Sequence, residues 1–195
     1  MTKLKFKKEI SMILGVCGKI ASGKSEVMGV LGEFGFHLLY ADDIVHALYE
    51  SGGLGAKKIT EVFGCEFLNE DGSVNRKMLR ELVFLDIEKL QILNDAIHPL
   101  VSDEMRKMIS SNGNTAIESV YFDEGLLGAF VDKLLWVDRD VSRIKEVLSR
   151  QRGFSDELAD KTLLLIQKPE KTDYVIANNG NLDDLKKEVV DLFHP

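Results

Sequence analysis

Short, nearly unbroken apolar runs alternate along this chain with stretches in which apolar residues recur every three or four positions. The runs at residues 10–16, 36–40, 115–122, 133–137 and 172–177 are bounded by turn residues, as expected of strands buried on both faces of a parallel sheet. From Lys24 to about Phe34, the spacing of Val27, Val30, Leu31 and Phe34 predicts a core-facing helix that stops at Gly35. Residues 141–150 put Ile144, Val147 and Leu148 inward, Ser155 is placed to cap the helix after them, and residues 182–193 close as an amphipathic helix. Between the second and third runs, residues 44–112 show helical spacing and no strand pattern. Ile44, Val45 and Leu48 begin a helix, the glycines of 51–55 break it, and Ile59, Val62 and Phe63 carry the next one to Gly64. Turn residues fill 69–73, and Met78, Leu79, Leu82, Val83 and Phe84 resume the pattern. A helix over 90–97 ends at His98-Pro99, with Pro99 opening another that runs to about Met108. Phe36, Phe63, Phe84 and Trp136 are the predicted aromatic core.

Composition narrows the class without naming it. The chain has 195 residues, 45% apolar and 29% charged, ordinary for one globular domain with an insertion. A net charge of −7 argues against non-specific nucleic-acid binding, which needs surplus Lys and Arg. Cys17 and Cys65 sit at no metal-ligand spacing and read as free thiols. No apolar run approaches the roughly 18 residues of a membrane span. Lys3, Lys5, Lys7 and Lys8 precede no apolar core long enough for a secretory signal, so residues 1–9 read as a frayed terminus. A cytoplasmic protein without a membrane or nucleic-acid partner is expected, a monomer or weak homo-oligomer.

The informative stretch follows the first apolar run: Gly18-x-x-x-x-Gly23-Lys24-Ser25, the P-loop pattern between a predicted strand and a predicted helix. Gly18 and Gly23 admit close backbone approach, so that the N–H groups of Lys19, Ile20, Ala21 and Ser22 can converge on phosphate oxygens. The helix start adds its positive dipole end, Lys24 can bridge the outer phosphates, and the Ser25 hydroxyl can ligate Mg²⁺. Glu26 adds a carboxylate in the same first turn, favourable to the dipole yet unfavourable beside a triphosphate. The second strand delivers Asp42 and Asp43 at its C-terminal end, the edge where open α/β sheets bind ligands. Asp42 can accept a hydrogen bond from an attacking hydroxyl or simply cap the helix from Ile44 onward. The predicted architecture is an α/β P-loop NTPase fold: a five-stranded parallel sheet flanked by helices, with a helical insertion and a lid.

Beyond that motif, an ordered set of segments resembles the dephospho-coenzyme A kinase family from Ile13 to about Leu185. It comprises the P-loop, Ala41-Asp42-x-Ile44, Phe63-Gly64, Asp71-Gly72-x-x-x-Arg76-x-x-Leu79, Val83-Phe84, Leu93-x-x-x-Ile97-His98-Pro99, Arg150 followed by Phe154-Ser155 and Gln167, and Asp173-x-Val175-Ile176-x-Asn178-x-Gly180. The resemblance implies transfer of the ATP γ-phosphate to the 3′-hydroxyl of dephospho-coenzyme A, with Mg²⁺. It implies that Lys24 and Ser25 bind phosphate and metal, that Asp42 is the base, that Arg76 and His98 belong to an acceptor-side domain, and that Arg150 is the lid arginine. It further implies a nucleotide-binding core at 1–43 and 113–195, a lid at about 143–170, and an acceptor-binding insertion at 44–112. Read as residues alone, His98 also suits a structural turn, Arg76 a solvated helix start, and Arg150 and Arg152 a lid surface. Departures include Lys19 in the loop, Tyr40 for an acid, His46 and Glu146 for arginines, and Tyr121-Phe122-Asp123-Glu124 in the third strand. Lys19 is expected to supply charge that the altered lid does not. Open alternatives are another P-loop small-molecule kinase, of nucleotide or shikimate type, and a degenerate nucleotide-binding protein without transferase activity.

Overall fold

A computed structural model describes residues 11–109, 113–120, 122 and 127–193, without the side chains of Phe84, Leu85 and Leu165. The N-terminal lysines, Ile10, Tyr121 and the acid pair Asp123 and Glu124 lie outside the described residues.

Five strands, β1 (Ile13–Gly18), β2 (His37–Tyr40), β3 (Thr115–Glu118), β4 (Lys133–Asp138) and β5 (Tyr174–Ala177), form one parallel sheet in the order β2-β3-β1-β4-β5. The most apolar strand takes the centre. Leu14 and Val16 of β1, Ile117 of β3, and Leu135 and Val137 of β4 are all fully buried. Register runs from Ile13 opposite Thr115 on one side of β1 to Gly18 opposite Val137 on the other. Consequently the loop after Gly18 emerges where the β3 and β4 chains also end, at the carboxyl edge of the sheet.

The helices are α1 (Lys24–Glu33), α2 (Ala41–Tyr49), α3 (Leu54–Phe63), α4 (Arg76–Leu85), α5 (Ile87–Met108), α6 (Val141–Arg152), α7 (Asp156–Leu165) and α8 (Leu182–Phe193). They divide between two compact units: the described residues as far as Leu39 and beyond Ser110 form one, and Tyr40–Ile109 the other. In the first, α6 and α7 make a hairpin around Ile144, Leu148, Ala159 and Leu163. Gly153, in the left-handed conformation, ends α6, and the Ser155 hydroxyl accepts from Leu158 N–H to start α7. In the second unit α5 is the spine, packed against α2, α3 and α4, with Ile59 and Met105 wholly buried. Among the described residues no helix is long and apolar enough to cross a membrane.

Several boundaries differ from the sequence expectation. The break predicted at His98-Pro99 is absent: α5 is continuous, with Pro99 inside it. Proline removes one intrahelical hydrogen bond, but Ala96, Ile97, Val101 and Met105 form an unbroken buried stripe across that point, and packing outweighs the local penalty. Helix α2 starts at Ala41, three residues early, with Tyr40 in the cap position and no side-chain cap bond. Asp42 therefore lies in the first turn and is not the cap. Strand β3 ends at Glu118 instead of residue 122. Strand β5 begins two residues late because Asp173 is occupied differently: its carboxylate accepts from Leu134 N–H at 2.9 Å and Lys133 Nζ at 2.7 Å, latching the start of β5 to β4. Of the predicted aromatic core, Phe36 and Trp136 are buried, whereas Phe63 is only half-buried.

The α6–α7 hairpin sets the first prediction. Leu148→Ala is expected to cost about 2–5 kcal/mol in urea denaturation, the range for emptying a buried leucine site. Leu164→Ala, at a position 72% exposed, is expected to stay within about 0.5 kcal/mol.

Candidate active site

The loop joining β1 to α1 is held by bonds to its carbonyl groups. Lys24 Nζ lies 3.3 Å from both the Gly18 and Lys19 carbonyl oxygens, and Ser22 N–H donates to Lys19 O at 3.1 Å. Arg139 Nη1 donates to Ala21 O at 3.2 Å, Asn178 Nδ2 to Ser22 O at 3.0 Å, and Val27 N–H to Gly23 O at 3.2 Å. A trans peptide directs its N–H opposite to its C=O, so the tied carbonyls of residues 18, 19, 22 and 23 turn the amides of Lys19, Ile20, Gly23 and Lys24 the other way, whereas the Ser22 amide is taken by Lys19 O. Such a run of amides at a helix start forms an anion-binding concavity.

Two glycines are required by space. A Cβ on Gly18 would lie 2.5 Å from the Val137 carbonyl oxygen and 2.7 Å from Ser22 Oγ. Gly23 has φ +98° and caps α1 without a side-chain bond; a Cβ there would collide with the Asn178 amide. Ala21 is the exception. It holds φ +57° as a non-glycine, a conformation costing roughly 1–2 kcal/mol for a residue with a Cβ. Its methyl, with Ile20, packs on the Ile144–Leu148 cluster of the α6–α7 hairpin. Ser22 Oγ is buried without a hydrogen-bond partner among the described residues.

Charged groups lie on three elements of this unit. Glu118, at the end of β3, has Oε1 4.0 Å from Lys24 Nζ, with both side chains mostly buried. Ser25 and Glu26 are exposed in the first turn of α1. On α6, Arg150 pairs with Glu146 at 2.8 Å, and both groups are exposed. Lys145 ties α6 to Asp160 of α7 at 2.6 Å. Sequence reasoning gave Glu118 no role and passed over Arg139. An acid closing the strand beside β1 was a usable signal for Glu118; nothing local marks Arg139.

In the Tyr40–Ile109 unit, Asp42 and Asp43 are exposed in the first turn of α2. Arg76 opens α4, which Asn75 caps by accepting from Met78 N–H, and its Nη1 lies 3.4 Å from His46 Nδ1. The two positions, thirty residues apart, are thus brought together. Burial pushes the neighbouring Tyr49 hydroxyl up to about 12 against the opposing effect of Arg76. His98 is half-buried in the middle of α5, so it is not a turn residue.

Sheet order, central phosphate-type loop and flanking hairpin define a P-loop kinase fold. Comparison with known proteins is specific: the profile of the family described as CoaE, dephospho-CoA kinase, matches residues 12–184. The chain belongs to the dephospho-CoA kinase family. It is 35% identical over 185 residues to a dephospho-CoA kinase of Fusobacterium nucleatum, covering 91% of this chain and 95% of that one. Among solved structures it superposes on TT1252 from Thermus thermophilus with TM-score 0.77 at 24% identity, over 94% and 96% of the two chains. It superposes on a dephospho-CoA kinase from Campylobacter jejuni with TM-score 0.60 at 22% identity, over 93% and 95%. At those identities the two structures speak for the fold.

Cys17 does not reach the anion side of the loop. It is 1% exposed, donates to Leu135 O at 3.6 Å, and packs with Leu134 and Trp136, and burial pushes its thiol up to about 12. Because the thiolate is the reactive form, a thiol reagent at pH 8 is expected to modify Cys65 rapidly in the native protein and Cys17 only after unfolding. Two fast-reacting thiols per native chain would contradict this burial.

Proposed function

We propose that this protein transfers the γ-phosphate of ATP to the 3′-hydroxyl of dephospho-coenzyme A, yielding ADP and coenzyme A. The observation that carries the reading is the conjunction of a loop whose carbonyls are tied inward with family membership over residues 12–184. Phosphoryl transfer asks the protein chiefly for positioning and charge neutralisation. The amides of residues 18–25 other than Ser22 N–H, which donates to Lys19 O, bind the phosphate tail, and Lys24, already seated at the loop, neutralises the transferring group. Glu118 holds the Lys24 ammonium at the loop's β3 side.

Mg²⁺ fits the donors present, since the exposed Ser25 hydroxyl at the start of α1 and the Glu118 carboxylate at the end of β3 are hard oxygen ligands. When bound, the ion would neutralise charge on the phosphates. Ser25 would hold it, with Glu118 accepting hydrogen bonds from its water ligands.

Asp42 carries the base role: its carboxylate accepts the proton of the attacking hydroxyl. Arg76, with His46 beside it, and His98 bind the acceptor. In the lid hairpin, Arg150 leaves Glu146 to reach phosphate. That exchange is cheap, because an exposed i,i+4 pair is worth about 0.3–0.5 kcal/mol. Lys19 adds charge from within the loop.

Coupled measurement of ADP release tests the reading. Release is expected to require dephospho-coenzyme A and to be unaffected by shikimate or nucleoside monophosphates. ATP binding without acceptor-dependent release would instead mark a nucleotide-binding protein that does not transfer. Asp42→Asn is expected to lower kcat tenfold or more while leaving ATP affinity within about twofold. Lys19→Gly is expected to lower turnover severalfold, and an unchanged rate would remove Lys19 from the site.

A further inference from the structure

Ala21 is the one described non-glycine residue with positive φ, at +57°, and it sits in the middle of the phosphate loop. Its carbonyl is also where Arg139 is attached. Arg139 follows directly on β4, and its Nη1 donates to Ala21 O at 3.2 Å. Its Nε is buried without a partner among the described residues. A guanidinium is not normally left with a desolvated N–H, so the group is held against the loop at a cost. The next residues repeat the arrangement at the neighbouring strand: Asp140 N–H donates to Asn179 Oδ1 at 2.9 Å, and Asn179 Nδ2 donates back to Asp140 Oδ1 at 2.9 Å. Asn178, in turn, holds Ser22 O. The chain ends of β4 and β5 are thereby clamped to each other and to two successive loop carbonyls.

We propose that Arg139 is a positioning residue for ATP: by holding the Ala21 carbonyl, it keeps Ala21 in its left-handed conformation and so fixes the backbone of a loop whose amides, apart from the Ser22 N–H that Lys19 O takes, receive the triphosphate. An L residue with a Cβ relaxes out of that region unless something opposes it, whereas glycine does not. Arg139 holds the Ala21 carbonyl, while the Ala21 methyl packs on the α6–α7 hairpin. Any energetic coupling between the two side chains must therefore run through the loop's φ and ψ. That coupling separates this role from general support of the fold, which would act equally whatever residue stood at position 21. The inference rests on the ATP-binding half of the reading above and is independent of the acceptor.

The test is ATP binding by calorimetry, without acceptor, on four full-length proteins: wild type, Arg139→Met, Ala21→Gly and the double variant. Arg139→Met is expected to weaken ATP binding about tenfold in the alanine loop and by no more than about threefold in the glycine loop. In steady-state assays its KM for ATP is expected to rise correspondingly, with kcat at saturating ATP and KM for dephospho-coenzyme A within about twofold. Loss of less than twofold on Arg139→Met, or the same loss in both loops, overturns the proposal. Should Arg139→Met fail to fold, Arg139→Lys in the two loops reads the same coupling. It keeps one donor, so a loss of about threefold confined to the alanine loop is expected, and an equal loss in both overturns it. Coupled ATP binding in a protein that does not phosphorylate dephospho-coenzyme A would sink the proposed function and leave this inference standing. Absence of ATP binding by the wild type would sink both.

Discussion

The structure depends on which way a handful of peptide groups face. Between Gly18 and Gly23 the carbonyls of residues 18, 19, 21, 22 and 23 each accept a hydrogen bond from Lys24, Ser22, Arg139, Asn178 or Val27. Unpaired, those oxygens would be free to rotate toward the space that an anion needs, and one such rotation replaces a donor with an acceptor. The bonds come from four places: Ser22 donates from the loop itself, Lys24 and Val27 from α1, Arg139 from the end of β4 and Asn178 from the end of β5. A parallel sheet with β1 between β3 and β4 is what lets those ends converge.

Around that fixed loop the remaining parts are less constrained. The α6–α7 hairpin packs on Ile20 and Ala21 through a small apolar cluster, so the hairpin and the loop share a core while the arginine-bearing face stays exposed. An exposed Arg150–Glu146 pair is weak enough to exchange for phosphate without appreciable loss. The buried Lys24 and Glu118 side chains are different: their partners are fixed by strand register, and moving either would uncover a charge. Tied loop carbonyls with an exposed, weakly paired Arg150 match what phosphoryl transfer requires, namely a preorganised cradle and charge delivered once the substrates are in place.

Much of this was legible in the residues. Alternation of apolar runs with helical spacing foretold five parallel strands, and the glycine spacing with Lys24 and Ser25 foretold the loop. The failures have physical causes. Pro99 reads as a helix start because local rules see its missing N–H, yet the buried stripe from Ala96 to Met105 is a tertiary property that no window of sequence displays. For Asp42 the alternative of a helix cap fails, because α2 begins straight out of β2 and places it in the first turn. Arg139 was invisible for a similar reason: its partner is a carbonyl 118 residues away, brought beside it by the register of β1 and β4. Cys17 reads as a free thiol and is one, with its side chain turned into the core beside Leu134 and Trp136.

Identity of the product tests the central claim most directly. Incubation of the protein with ATP, Mg²⁺ and dephospho-coenzyme A should give, by phosphorus NMR, a new 3′-phosphomonoester resonance in equal amount to the ADP formed. Inorganic phosphate accumulating beside an unmodified acceptor would show a loop that binds and hydrolyses ATP without transfer, and would contradict it.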